Sequence, residues 1–180
     1  MATIASSARS TAKSSFRRKA WRDLSGQTGR KFTKAAWKRT FARYREDPVA
    51  RRATQGVVVT NALLLALLTA LGSPALYLLW AGAWLTTHTF VTRLRSIAEH
   101  GGLTRSDDRR VTSHHVRQGW VARTLMVPYG IGWHLAHHVD SGIPFRNLRK
   151  FTEALEEDGY IGPEMTWPSY RALWKSLASG

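Results

Sequence analysis

The main feature of the hydrophobic pattern is an uncharged apolar stretch in the first half of the chain. No charged residue occurs in the 40 positions between Arg52 and Arg93, and residues 56–95 read GVVVTNALLLALLTALGSPALYLLWAGAWLTTHTFVTRLR. At about 1.5 Å per residue, a run of this length suits two helices across a hydrocarbon layer of about 30 Å. The Gly-Ser-Pro run at residues 72–74 provides the turn, because Gly ends helices and Pro begins them. The pattern predicts a transmembrane helical hairpin over residues 53–95.

Basic residues flank this hairpin on both sides, with Arg51 and Arg52 before it and Arg93 and Arg95 after it. Because membrane proteins keep positive residues on the cytoplasmic side, both termini are predicted to be cytoplasmic. Residues 96–180 then form a cytoplasmic helical cap, and the fold class is all-α. A helical hairpin buried inside a soluble protein is the alternative.

The segment before the hairpin, residues 19–52, predicts basic amphipathic helices next to the membrane. Within RKFTKAAWKRTFARYR, Trp37, Phe41 and Tyr44 are spaced by four and three residues and share one helix face. Such a helix suits a membrane surface, with aromatic rings in the interface and Lys and Arg at lipid phosphates. A basic helix that binds nucleic acid and an ordinary helix packed on its own domain are the alternatives.

Charge and composition narrow the range of partners. The 180 residues include 27 Lys and Arg against 12 Asp and Glu, and the net charge of +15 indicates an anionic partner. Residues 1–18 are rich in Ser and Ala, contain no acid and predict a disordered basic lead whose composition also resembles a transit peptide. Cysteine is absent, which excludes disulfides, thiolate zinc sites and cysteine nucleophiles.

The candidate chemistry lies in GWHLAHHVDSGIPF, residues 132–145, which contains His134, His137 and His138. On a helix that turns about 100° per residue, the three imidazoles fall within an arc of about 100° and point toward one region. Imidazole nitrogens in this arrangement can bind one transition-metal ion, or be shared between two. Binding requires neutral rings, so metal occupancy is expected to fall as the pH drops through about 6.5.

The other four histidines give weaker signals. His100 lies at the end of the helix that follows the hairpin, where two glycines predict a helix stop. His88, inside the second span, belongs to a polar site or is a neutral ring bonded to a neighbouring helix. The adjacent His114 and His115 have no third histidine at helical spacing, and we expect them to be solvated.

A further helix is predicted within the cap, over residues 144–159. Leu148, Phe151 and Leu155 line one face of it, and Gly159 suits its end. This helix directly follows the histidine cluster and supports a folded cap.

Two motifs together resemble the membrane fatty acid desaturases, in their C-terminal half. They are RSIAEHGG, residues 95–102, and GWHLAHHVDSGIPFRNLRKFTEALEEDGY, residues 132–160. In that family a last H-x-x-H-H box is followed by a Gly-Ile-Pro-like turn and a helix, and an earlier histidine has an A-E-H-G-like context. WRDLSGQTG, residues 21–29, and PSYRALWKSL, residues 168–177, also look like bacterial members. The resemblance covers roughly residues 16–180.

The resemblance implies a di-iron site at the cytoplasmic face of an integral membrane protein, in the bacterial inner membrane, with His100, His134, His137 and His138 as iron ligands. It implies O2-dependent desaturation of an acyl lipid, with electrons from a ferredoxin or cytochrome. Imidazole ligands and open coordination positions suit this non-haem iron chemistry. Asp140, after the box, is a candidate to orient a ligand ring, or a helix-terminal cap.

The family carries two further histidine boxes upstream, whereas no histidine precedes His88 in this chain. We therefore expect an incomplete di-iron site in a truncated or split desaturase that is inactive alone and needs a separate N-terminal half. The alternatives are a membrane di-iron hydroxylase of the carotenoid or alkane type and a non-enzymatic membrane-anchored remnant. Nucleic acid is not an expected partner.

Overall fold

The computed structural model describes residues 13–179 and divides the chain into two compact units. Arg17–Phe90 form the first, here called the apolar unit. Among the described residues, 91–179 form the second together with residues 13–16, and this second unit is here called the histidine unit. Both consist of helices, apart from one pair of very short strands within the described residues, which confirms the predicted all-α class. The predicted disordered lead over residues 1–18 falls largely outside the described residues.

The elements of the described chain are numbered in order. The helices are α1 (Lys13–Leu24), α2 (Gln27–Arg43), α3 (Pro48–Ala70), α4 (Leu76–Leu85), α5 (Thr87–His100), α6 (Trp120–Leu125), α7 (His134–Val139), α8 (Leu148–Glu157) and α9 (Tyr170–Ser179). The strands are β1 (His115–Val116) and β2 (Thr166–Trp167), which pair in parallel. Short 3-10 turns occupy Arg109–Val111, Pro128–Gly130, Phe145–Asn147 and Pro163–Met165.

Helix α2 bears out the predicted aromatic face. The rings of Trp37 and Phe41 lie 4.7 Å apart, and those of Phe41 and Tyr44 lie 6.3 Å apart. Trp37 and Phe41 remain about half exposed, so this row of rings faces outward from its own unit.

Helix α3 begins where the sequence provides both a cap and a suitable first residue. The Asp47 side chain accepts hydrogen bonds from the backbone N–H groups of Val49 and Ala50, at 2.9 and 3.2 Å, and Pro48 occupies the first turn. Arg43 of α2 pairs with the same carboxylate at 2.7 Å. These contacts fix the junction between the basic segment and the apolar one.

Among the helices that the structure describes, only α3 is long and apolar enough to cross a membrane, with 23 residues. The second span of the predicted hairpin is not one continuous helix. It is divided at Thr86, whose φ of −118° and ψ of −84° are not helical, into α4 and α5. The 10 residues of α4 extend about 15 Å, half the thickness of a hydrocarbon layer. The expectation of two full-length spans therefore needs correction.

Helices α3 and α4 are joined by the expected turn, where Gly72 adopts a left-handed φ of +74°. Asn61 on α3 accepts hydrogen bonds from two side chains of α4, the Tyr77 hydroxyl at 3.0 Å and the Trp80 indole N–H at 3.2 Å. Helix α2 reaches the end of α4 through Gly29, since a Cβ there would lie 2.1 Å from the Leu85 carbonyl oxygen. The hydrogen bonds to Asn61 thus join α3 to α4, and the close approach at Gly29 joins α2 to α4.

The histidine unit has a buried core in two parts. The larger part joins α5, the α6 region, β1 and α9 through six buried side chains: Ala98, Val116, Val127, Tyr170, Leu173 and Leu177. The smaller part packs Leu135 of α7 against Ile161 and Met165. Between them β1 pairs with β2, and His115 lies opposite Thr166.

The helix predicted over residues 144–159 is confirmed as a 3-10 turn followed by α8. Leu148 is buried and Leu155 packs beside the smaller core. Gly159 ends the segment with a φ of +75°, which only glycine adopts at little cost.

Candidate metal centre

Helix α7 is short, and its buried face explains where its histidines point. Leu135 and Ala136 are completely buried, so the first turn of α7 is held in the core. Just before it, Gly132 packs so closely that a Cβ would lie 2.6 Å from the Gln118 side chain and 2.7 Å from that of Val127. The histidines of α7 are thereby left on its outer side.

Three imidazoles converge beside this helix. His134 and His138 are four residues apart and share a helix face, and their Nε2 atoms lie 2.9 Å apart. The Nε2 atom of His100, at the end of α5, lies 2.8 Å from that of His134. The potential metal-binding atoms of His100, His134 and His138 all lie within 4.8 Å of one another. Among residues 13–179, no other group of three or more His, Cys, Asp or Glu side chains comes together in this way.

The outer nitrogens of two of these rings have acceptor partners. His100 Nδ1 lies 2.8 Å from the Thr112 carbonyl oxygen, which can only accept, so this nitrogen bears the proton. His134 Nδ1 faces Glu99 Oε1 at 3.6 Å. In a neutral His100 ring, Nε2 is therefore unprotonated, and its lone pair faces His134 Nε2.

The surroundings favour neutral rings. Burial, followed by the nearby His138 and His100, lowers the pKa of His134 to about 3. Burial likewise lowers the pKa of His138, and His100 adds to the effect. The pKa of Glu99 is raised by burial, although its pairing with Arg95 opposes this shift. The unprotonated state in which imidazole binds metal is therefore favoured at His134 and His138.

The donor set fits a transition-metal ion. For nitrogen–metal bonds of about 2.1 Å, two ligands at a right angle are about 3.0 Å apart, close to the spacings of the two Nε2 pairs. The Thr112 carbonyl also fixes the orientation of the His100 ring through Nδ1, as outer partners of metal-ligating histidines usually do.

The other predicted residues lie elsewhere. His137 is exposed on α7, and its ring centre is 6.3 Å from that of His134 and 5.8 Å from that of His138. His88 stacks on Trp84 in the apolar unit, at 4.5 Å. Asp140 ends α7 and accepts a hydrogen bond from the backbone N–H of Gly142 at 2.8 Å, which corresponds to the cap alternative.

Two sequence-based interpretations missed functional neighbours of the cluster. His114 and His115 were expected to be solvated, and this is wrong, because both are buried and hydrogen-bonded to other elements. Glu99 was not singled out, yet it is the acid beside His134. Its position directly before His100 in the A-E-H-G context was the available signal.

Comparison with known proteins agrees with the motif resemblance. The profile of the family described as fatty acid desaturase matches residues 2–170, which is most of the chain. No curated protein and no solved structure matches the chain. The matched region includes α3, the converging histidines and α8. One family profile therefore covers both histidine motifs and most of the apolar and histidine units. The chain belongs to the fatty acid desaturase family.

Proposed function

We propose that this chain is the last-histidine-box part of a membrane acyl-lipid desaturase, and that its converging imidazoles hold iron of a di-iron centre. One observation supports the proposal most directly: His100 Nε2 and His134 Nε2 face each other 2.8 Å apart, and His138 Nε2 lies 2.9 Å from His134 Nε2. Nitrogen ligands suit non-haem iron, which when bound activates O2 to remove hydrogens from an unactivated acyl chain.

In this proposal the protein's own groups orient the ligands. The Thr112 carbonyl accepts from His100 Nδ1, and the buried Glu99 carboxylate faces His134 Nδ1. Arg95 pairs with Glu99 and keeps it available as an anion near the metal. His137, beside the cluster on α7, is the proposed fourth ligand and serves the second iron.

The membrane placement rests on the apolar unit. Helix α3 has the length to span the bilayer, and residues 53–95 form the membrane region with α4 as a shorter partner. The Thr69 hydroxyl there donates to the Leu65 carbonyl of its own helix at 2.8 Å, which suits an apolar solvent. Helix α2 lies at the surface with its aromatic row in the interface, and residues 96–180 form the cytoplasmic cap. Both termini face the cytoplasm, as in a bacterial inner-membrane protein.

The proposed centre is incomplete within the printed sequence. His100, His134, His137 and His138 are about half of the ligands that two irons take in this family. We propose that the remaining ligands come from the family's first two histidine boxes, on a separate polypeptide or in a longer form of the chain. Desaturation, with electrons from a ferredoxin or cytochrome, requires that part.

Iron content of the full chain in detergent tests the proposal, measured with and without a co-expressed N-terminal desaturase half. We expect less than one iron per chain alone, two with the partner, and an acyl product with a new double bond. His134→Ala should abolish the partner-dependent iron, whereas His88→Ala, outside the cluster, should not. Two tightly held irons without a partner would refute the incomplete site. Unchanged iron in His134→Ala would refute the site itself, and a hydroxylated product would indicate the hydroxylase alternative.

A further inference from the structure

We propose that the adjacent histidines His114 and His115 are positioning residues that set the spacing between α5 and α7, the two helices that carry the converging imidazoles. This role rests on the proposed metal centre. His114 and His115 do not contact the ring nitrogens of the proposed ligands, so their role would be to position the helices that carry those ligands. Neither belongs to the desaturase motifs of the sequence, and both are buried in the histidine unit.

His114 fastens the end of α5 on both sides of His100. Its backbone N–H donates to the Glu99 carbonyl at 2.9 Å, and its Nε2 lies 2.9 Å from the Gly101 carbonyl oxygen. Because a carbonyl only accepts, Nε2 bears the proton and Nδ1 is free to accept from the Trp167 indole N–H, at 3.2 Å. Both ring nitrogens of His114 are therefore hydrogen-bonded. The carbonyls of Glu99 and Gly101, at and just after the end of α5, gain partners that the helix itself cannot provide.

His115 fastens the start of α7. Its ring stacks on Trp133 with centres 6.2 Å apart and planes inclined by 23°. Trp133 precedes α7, and its carbonyl accepts the backbone N–H of His137 at 3.1 Å, so it belongs to the first turn of the ligand helix. On its other side, His115 Nε2 lies 3.0 Å from Glu156 Oε1 of α8, and Arg117 binds the second oxygen of Glu156 at 3.1 Å.

The two side chains reach different helices because the backbone between them is extended. His114 directly precedes β1 and His115 begins it, and successive side chains along a strand point to opposite faces. Pairing with β2 holds the strand in place, with His115 opposite Thr166. Trp167 of β2 is also the indole that bonds His114, so the same strand pair fixes the backbone and the ring.

A purely structural role for two buried histidines is the alternative, and Thr152 offers a matched control. The side chain of Thr152 is as buried as that of His115, but its hydroxyl bonds only to the Leu148 carbonyl of its own helix, at 2.8 Å. Loss of that bond should lower stability without moving α5 relative to α7.

The test uses the full chain in detergent, with Co2+ as a metal probe whose visible absorption reports coordination. His114→Leu and His115→Leu should weaken Co2+ binding about 10- to 100-fold and change the absorption bands. His114→Gln should restore most of the affinity, because an amide supplies a donor and an acceptor. Thr152→Val should lower the melting temperature and leave Co2+ affinity unchanged. Wild-type affinity in both Leu variants, or an equal loss in Thr152→Val, would overturn the proposal.

A measurement without metal separates this proposal from that of the metal centre. If the wild-type chain binds no Co2+ even with the N-terminal desaturase half, the proposed centre fails, and the imidazole nitrogen NMR shifts of the metal-free chain decide the positioning role. His114→Leu should then shift the signals of His100, whose Nδ1 proton is fixed by the Thr112 carbonyl, whereas Thr152→Val should not. Unchanged His100 signals in His114→Leu would overturn the positioning role.

Discussion

The two units of this protein differ in which kinds of side chain they bury and which they expose. In the apolar unit, large aliphatic residues such as Leu63 and Leu78 are about two-thirds exposed or more, while the buried side chains include Asp23 and Thr54. In the histidine unit, leucines such as Leu173 are completely buried. Apolar surface is driven out of water, so a folded unit with its leucines outside is suited to a different solvent. The contrast supports the proposed lipid environment of the apolar unit.

Polar groups show the same contrast. In the apolar unit, several threonines bond within their own helix, as Thr69 does to the Leu65 carbonyl at 2.8 Å. In the histidine unit, the buried histidines bond between elements, as His115 does to Glu156. Helices in lipid satisfy their backbone and hydroxyl groups internally, whereas polar contacts between elements can fix the distances between helices. The proposed metal ligands lie in the unit that contains such contacts around them.

Truncation of one leucine in each unit is expected to show the largest difference. Leu173→Ala removes a fully buried side chain and should lower the free energy of unfolding of the histidine unit by about 2–5 kcal/mol. Leu63→Ala, at an outward position, should change it by less than about 0.5 kcal/mol. Denaturant unfolding in detergent measures both. Equal losses would mean that Leu63 has a packed environment and would remove the contrast.

A charge in the middle of α3 tests which solvent this helix faces. Leu63→Arg should oppose membrane insertion by about 2.5–3.5 kcal/mol, whereas an arginine at the end of the helix costs less. Val49→Arg, at the start of the same helix and similarly exposed, is the matched control. Alkaline extraction of membranes should release the first variant and retain the second. Release of wild-type chain under these conditions would contradict a spanning α3.

Acid should destabilise the metal-free histidine unit more than the apolar unit. The pKa values of His114, His115, His134 and His138 are lowered, chiefly by burial, and that of His134 falls to about 3. The unfolded chain, with His pKa values near 6.5, therefore binds more protons, and stability is lost as pH falls from about 6.5 toward 3. Glu99, whose pKa is raised by burial, acts in the opposite direction but is a single group.

Hydrogen exchange, corrected for the intrinsic rate at each pH, can follow the two units separately. Peptides from residues 91–179 should lose protection between pH 7 and 5, and those from residues 17–90 should change little. Equal pH dependence in both units would show that the buried histidines do not control acid stability. The same shifts imply that protons compete with a metal at His134 and His138 only below about pH 6.5, the value expected for unperturbed rings.

The smallest expected effect concerns the polar link between α3 and α4. Asn61→Leu removes the acceptor of Tyr77 and Trp80, and hydrogen bonds between membrane helices contribute about 0.6 kcal/mol on average. Thr69→Val, which removes a bond within one helix, is the control. A thermal shift larger for Thr69→Val than for Asn61→Leu would contradict a role for Asn61 in joining the helices.

Local pattern predicted much of the fold. The aromatic row on α2, the turn at residues 72–74, the helical histidine segment and the end of α8 at Gly159 follow from spacing, Gly and Pro. The break at Thr86 did not, because a helix interruption between two apolar segments leaves the hydrophobic pattern unchanged. The hydrophobic pattern shows that a segment is apolar. Where the helix within that segment is interrupted depends on its tertiary contacts, which the pattern does not contain.

The candidate site was predictable only where local sequence spacing or a motif places its residues. The convergence of His134 and His138 follows from helical spacing, and His100 came from family resemblance, 34 residues away. The burial of His114 and His115 depends on partners as distant as Glu156 and Trp167, which no local signal relates to them. Contacts between residues so far apart are set by the tertiary fold alone.

The bond from Trp167 to His114 has a consequence for synthesis of the chain. Every proposed ligand is translated before Trp167, so the histidines emerge from the ribosome before the strand that secures their helices. The nascent protein thus passes through a stage in which the imidazoles are present but not yet held at their final spacing. In the proposed centre, the ligands therefore reach their final spacing only after β2 has been made.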